Sequence, residues 1–109
     1  KTRPVGIDIE QVKEKVERIA PKFMRPEEMA FIKDESKIQQ LYVCWCAKEA
    51  VYKCYGQKEV SFADNISLKH FNFDKEGVVD AYLNKGAISR NYRVNYLQYE
   101  DYMIGYVKG

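Results

Sequence analysis

The chain is predicted to form a single α+β domain, residues 1–109, with an N-terminal strand, a helical middle and an antiparallel sheet at the C-terminal end. Three observations predict it. Apolar and non-apolar residues alternate from Val5 to Glu10; a long helical periodicity runs from Lys37 to Tyr55; and β-branched and aromatic residues, cut by turn segments, fill the chain beyond Ile66.

Taking the elements in order, Val5, Ile7 and Ile9 alternate with Gly6, Asp8 and Glu10, the period of a half-buried strand. Residues 11–20 carry Val12, Val16, Ile19 and Ala20 at helical spacing, and Pro21 ends that segment. Pro26 suits the first position of a further helix, whose positive first turn favours Glu27 and Glu28, with Met29, Phe31 and Ile32 as its apolar contacts. From Lys37 to Tyr55, Cys44, Ala47, Val51 and Cys54 form one apolar stripe, and Gly56 stops the helix. Strands are then expected over 66–73, 78–83, 92–97 and 102–107, separated by Asp74-Lys75-Glu76-Gly77, Asn84-Lys85-Gly86 and Glu100-Asp101. The last two read as a hairpin. No repeat, linker or low-complexity tract interrupts this order.

Composition narrows the function classes. A formal net charge of +2 argues against nucleic acid, and the nine tyrosines come without an RNA-binding signature. No apolar run approaches membrane-spanning length, and with no signal-like start the expected location is cytoplasmic. Cys44, Cys46 and Cys54 all fall in one helix, and with His70 the sole histidine they read as buried, reduced thiols rather than a zinc site. The chain opens on Lys1 and a polar tripeptide, so it is expected to begin partway through a longer protein.

Two segments carry the chemistry. Residues two apart on a strand share a face about 6.6 Å apart, so Asp8 and Glu10 project together, with Gly6 leaving room for a ligand at the backbone. Adjacent carboxylates repel unless a cation neutralises them, and Mg²⁺, a hard ion that takes one or two carboxylates plus phosphate oxygens, suits the pair. A solvated strand face is the alternative. On the long helix Trp45, Glu49 and Lys53 recur every four residues and share one face. That face reads either as an exposed Glu–Lys pair or, given the indole beside it, as the wall of a covered cleft.

Together, Gly6-Ile7-Asp8-Ile9-Glu10 and Trp45-Cys46-Ala47-Lys48-Glu49-Ala50-Val51-Tyr52-Lys53 resemble the two signature motifs of the 4′-phosphopantetheinyl transferases, and the 41 positions between Asp8 and Glu49 suit that family. The resemblance implies transfer of 4′-phosphopantetheine from coenzyme A to a serine of an acyl or peptidyl carrier protein, releasing 3′,5′-ADP. It implies Asp8, Glu10 and Glu49 as Mg²⁺ ligands, with Glu49 also the general base and Lys53 the phosphate contact that assists the leaving group. Lys48 would be a secondary phosphate contact or a surface salt bridge. Glu27 is either an acid near the site or a helix N-terminal charge. Glu10 and Trp45 favour the two-lobed, surfactin-synthetase-activator type over the small holo-acyl-carrier-protein synthases. The chain then resembles the C-terminal lobe, and it either lacks an N-terminal lobe or self-associates to replace it. A non-catalytic module binding coenzyme A or a carrier protein is the alternative. The pathway served, fatty-acid biosynthesis or another carrier-dependent route, stays open.

Overall fold

The architecture is one antiparallel sheet with a long helix laid across one face, as a computed structural model of residues 4–109 describes it; the opening tripeptide lies outside the described residues. The elements are β1 (Val5–Gln11), α1 (Val16–Ile19), α2 (Pro26–Met29), α3 (Lys37–Tyr55), α4 (Phe62–Asn65), β2 (Ile66–Leu68), β3 (Glu76–Lys85), β4 (Ile88–Tyr99) and β5 (Tyr102–Lys108). The sheet order is β1-β5-β4-β3-β2, so the first strand of the chain pairs with the last. Asp8 stands opposite Gly105 and Glu10 opposite Met103.

α3 has the predicted bounds, and Gly56 closes it in the left-handed region at φ 74°, its N–H donating to Tyr52 O at 3.1 Å. Cys44, Ala47 and Val51 are fully buried, as the apolar stripe predicts, and Cys54 nearly so. The helix lies mainly over β1 and β5. Leu41, Val43, Cys46, Ala50 and the ends of Gln40 and Lys48 are buried as well, so α3 is enclosed on most sides by the sheet and by the segments flanking α1, α2 and α4. Past its first turn, Trp45, Glu49, Tyr52 and Lys53 form the stretch of its surface that stays partly open. No described helix is long and apolar enough to cross a membrane.

Two expected elements are shorter than their sequence pattern. In the predicted helix 11–20, Gln11 belongs to β1 and the Val12 N–H continues the strand by donating to Asp101 O at 2.7 Å, leaving Val16–Ile19 helical. The strand expected over 66–73 pairs with β3 through Leu68, and Lys69 N–H still reaches Asp80 O at 2.9 Å. Beyond that Phe71 turns into the core and its carbonyl accepts from Gln40 Nε2 at 2.8 Å.

The orientation of β1 inverts its polarity. Val5, Ile7 and Ile9 are more than half exposed on the outer face of the sheet, while Gly6 and Asp8 turn inward against α3. Gly6 makes room for the helix and not for a ligand: a Cβ there would lie 1.9 Å from Ala50 O and 2.8 Å from Cys54 N. At Gly105, on the neighbouring strand, a Cβ would lie 3.1–3.2 Å from Cys46. Two glycines therefore let β1 and β5 approach the helix backbone closely, and this approach carries Asp8 to the Glu49–Lys53 face.

Candidate active site

Four side chains predicted from the two motifs meet where β1 lies on α3. Asp8 is 5% exposed, and its Oδ1 accepts from Lys53 Nζ at 2.9 Å. Lys53 also donates to Ile7 O at 3.1 Å, so the ammonium is pinned to the strand that bears the acids. Asp8 Oδ2 is buried and, among the described residues, has no hydrogen-bond partner unless a Glu10 or Cys46 proton reaches this carboxylate. A buried, half-satisfied carboxylate is costly, and that cost is what a bound cation would remove.

Glu10 and Glu49 lie within electrostatic reach of the same carboxylate. Burial, followed by hydrogen bonding and charge from Asp8, pushes Glu10 up to about 7, against a lowering contribution from the Trp45 indole. Glu49 is also raised, by burial first and then by Asp8, with Lys53 working in the opposite direction. Lys53 is raised by its hydrogen bond to Asp8. Cys46 lies beneath the acids: burial, then the charges of Asp8 and Glu10, push its thiol far above the usual range. Burial and the Asp8 charge raise both Glu10 and Glu49 in spite of Lys53 nearby, the electrostatic signature of a site short of positive charge.

Trp45 is held by aromatic neighbours, Phe23 edge-on at 4.8 Å between ring centroids and Phe62 at 5.9 Å, and Tyr52 meets Phe62 at 5.6 Å. The indole thus forms a fixed wall beside Glu10, as its place on the Glu49 face suggested.

Lys48 corrects the expectation of a phosphate contact or a surface bridge. It is fully buried, and its three donors go to Phe23 O at 2.7 Å, Glu28 Oε1 at 2.8 Å and Phe62 O at 3.0 Å. No donor remains for a ligand. Burial lowers its pKa, opposed by Glu28. Glu28 is 1% exposed and also accepts from the Arg25 N–H at 2.8 Å and the Leu68 N–H at 2.7 Å. This pair joins α2, α3 and β2 at one point. Sequence reasoning placed Glu28 as a charge in the helix's first turn and missed its buried pairing with Lys48; the available signal was its position three residues into the helix behind Arg25, where a carboxylate reaches back to the cap N–H. Glu27 is on the surface, paired with Arg25 Nε at 2.9 Å, and not at the acid cluster.

A depression of about 400 Å³ is lined by Ala20, Pro21, Met24, Met29, Leu41 and the Glu17–Lys37 pair, and none of the three acids borders it. The acid site lies at a strand–helix junction. Among the described residues no three His, Cys, Asp or Glu side chains already stand in a metal-binding arrangement. The donor set nevertheless suits a hard divalent cation: all-oxygen ligands, one of them buried with an orphaned oxygen, the other two partly exposed.

Comparison with known proteins names a family for this fold and its paired motifs. The model of the 4′-phosphopantetheinyl transferase superfamily matches residues 4–107, and the chain belongs to that superfamily. Among solved structures, Thermotoga maritima holo-acyl-carrier-protein synthase is similar in fold, with a TM-score of 0.62 and 17% identity over 96% of this chain. The present chain spans 61% of the length of that structure. No curated protein matches the sequence.

Proposed function

We propose that this lobe takes part in Mg²⁺-dependent transfer of 4′-phosphopantetheine from coenzyme A to a serine hydroxyl of an acyl or peptidyl carrier protein. The observation that carries the reading is Asp8: a buried carboxylate with one oxygen on Lys53 and the other unpaired among the described residues, flanked by Glu10 and Glu49. When bound, Mg²⁺ would neutralise the diphosphate and stabilise the charge that develops as its P–O bond breaks.

Asp8, Glu10 and Glu49 are the side chains that would hold the cation. Glu49, its pKa raised by burial and by Asp8, is suited to accept the proton of the attacking serine, directly or through a water. The serine oxygen forms the new bond to phosphorus, the bond to 3′,5′-ADP breaks, and the serine proton passes to Glu49. Lys53 supplies positive charge on the side of the leaving group, on a stem nearly half exposed and long enough to reorient. Trp45 excludes water beside Glu10. Lys48 takes no part in ligand binding in this mechanism and secures the helix that carries Glu49.

The outer sheet face, with Val5, Ile7 and Ile9 beside Tyr106, is the surface on which a second lobe or second copy would pack. Concentration-dependent sedimentation, compared with Ile9→Glu, tests that packing. Transfer itself is tested by the mass of an apo carrier protein after incubation with coenzyme A and Mg²⁺. The wild-type chain is expected to add the phosphopantetheine mass, and Asp8→Asn and Glu49→Gln to lose the addition while keeping a native circular dichroism spectrum. Retention of transfer in either variant removes the assigned role. Calorimetric binding of coenzyme A without mass gain would favour the non-catalytic module, a reading the 61% span keeps in play.

A further inference from the structure

We propose that Lys53 is the resident counter-cation of the acid site: its ammonium occupies Asp8 Oδ1 until a divalent cation takes that carboxylate, and is then released. The inference rests on the metal-site reading above and adds a competition between two cations for one side chain.

Three observations carry it. Lys53 Nζ stands 2.9 Å from Asp8 Oδ1 and 3.1 Å from Ile7 O, and among the described residues no third hydrogen-bond acceptor holds it. Its side chain is 47% exposed, so the ammonium can exchange these partners for water at modest cost. Asp8, by contrast, is 95% buried, with Oδ2 unpaired among the described residues, so the carboxylate cannot move out to find a partner. A cation arriving at this carboxylate meets an ammonium already on it. Two positive charges a few ångströms apart around one acid repel, and the flexible member is the one that leaves. Linkage makes the effect reciprocal: whatever Lys53 contributes to the metal-free protein is subtracted from its affinity for the metal.

The arrangement has a physical rationale. Without any cation, Asp8, Glu10 and Glu49 would be three acids around a partly buried point with nothing to offset them. A tethered ammonium offsets part of that repulsion in the metal-free protein. A lysine suits the task better than an arginine, because a compact point charge on a four-carbon stem gives up one acceptor more readily than a bidentate guanidinium.

The test uses magnesium chloride alone, without coenzyme A or carrier protein. Mg²⁺ affinity of the wild type, Lys53→Met and Lys53→Arg is measured by calorimetry and by the shift of melting temperature. Lys53→Met is expected to melt lower than the wild type without metal, yet to bind Mg²⁺ roughly fivefold more tightly. Lys53→Arg, which keeps the charge, is expected to bind no more tightly than wild type. A second readout needs only the wild-type protein: the NMR signals of the Lys53 ε-methylene should move toward those of a free lysine side chain as Mg²⁺ saturates. Binding to Lys53→Met no tighter than to wild type, or Lys53 signals unmoved at saturation, overturns the competition while leaving the metal site intact. Mg²⁺ that stabilises neither protein overturns the metal site itself, and the competition with it.

Discussion

Lys48 and Lys53 leave the same helix five residues apart, and each meets a carboxylate at closely similar distance, 2.8 Å for Glu28 and 2.9 Å for Asp8. Their surroundings separate them. Lys48 and Glu28 are sealed from solvent, and every donor and acceptor of the pair has a protein partner. Lys53 is nearly half exposed, and the acid it touches keeps an unpaired oxygen. A closed pair fixes geometry; an open pair can exchange partners. The two lysines of one motif thus differ in kind, one holding the helix in place and the other facing the candidate acid site.

Breaking the closed pair should produce the largest effect. Lys48→Met strands a buried carboxylate, and the expected loss is about 3–5 kcal/mol of folding free energy, read from chemical denaturation. Lys48→Met combined with Glu28→Gln should cost less than the sum of the single changes, because the stranded charge is gone; additive losses would show that the two residues are not coupled.

The open pair depends on the close approach of β1 to α3. Gly6→Ala places a methyl group against the Ala50 carbonyl, and overpacking of this kind is expected to cost about 3 kcal/mol. Mg²⁺-dependent stabilisation should weaken with it, while the Lys48 contacts survive. A Gly6→Ala protein as stable as wild type would mean that the strand can sit farther from the helix.

Asp8→Asn sharpens the contrast from the other side. Without metal its stability should stay within about 1 kcal/mol of wild type, since it loses an exposed ammonium's pair but also a source of like-charge repulsion. At a hundredfold excess of Mg²⁺ over its Kd, however, the variant should forfeit a stabilisation of about 2.7 kcal/mol seen in the wild type. Thermal melts with and without chelator measure the difference.

A further effect concerns protons. Glu10 holds its proton up to about 7 in the fold, against 4.5 for the unperturbed side chain. The folded, metal-free protein therefore binds more protons than the unfolded chain between those values. This contribution is fully present below about 4.5 and is lost as pH rises through about 7, so metal-free stability should fall from about pH 5 to about pH 8. Glu10→Gln should flatten that slope, and Mg²⁺ should offset it at the upper end. A metal-free melting temperature that rises over this range in the wild type but not in Glu10→Gln would reverse the assignment.

How much of this was legible beforehand depends on what each residue's position was decided by. α3 could be bounded to the residue because its stripe and its terminal glycine are local signals. The strands β3, β4 and β5 were located within a few residues for the same reason, through their composition and turns. The helix expected over residues 11–20 contracted because the Val12 N–H found a long-range partner in Asp101, which no local periodicity encodes. Lys48 was misplaced because helical spacing describes where a side chain starts and not what closes over it. Phe23, Glu28 and Phe62 come from three separate segments to enclose it.

By itself the sequence determined the element types, the paired motifs and, through them, the superfamily and the acids and lysine of the candidate site. Only the tertiary structure decided which side of β1 faces inward. The pattern suggested apolar residues inside and acids outside; the fold does the reverse, because Gly6 and Gly105 let the sheet press onto α3 by their glycine-bearing face. That close approach buries Asp8 beside Lys53, and so turns two separate motifs into one site.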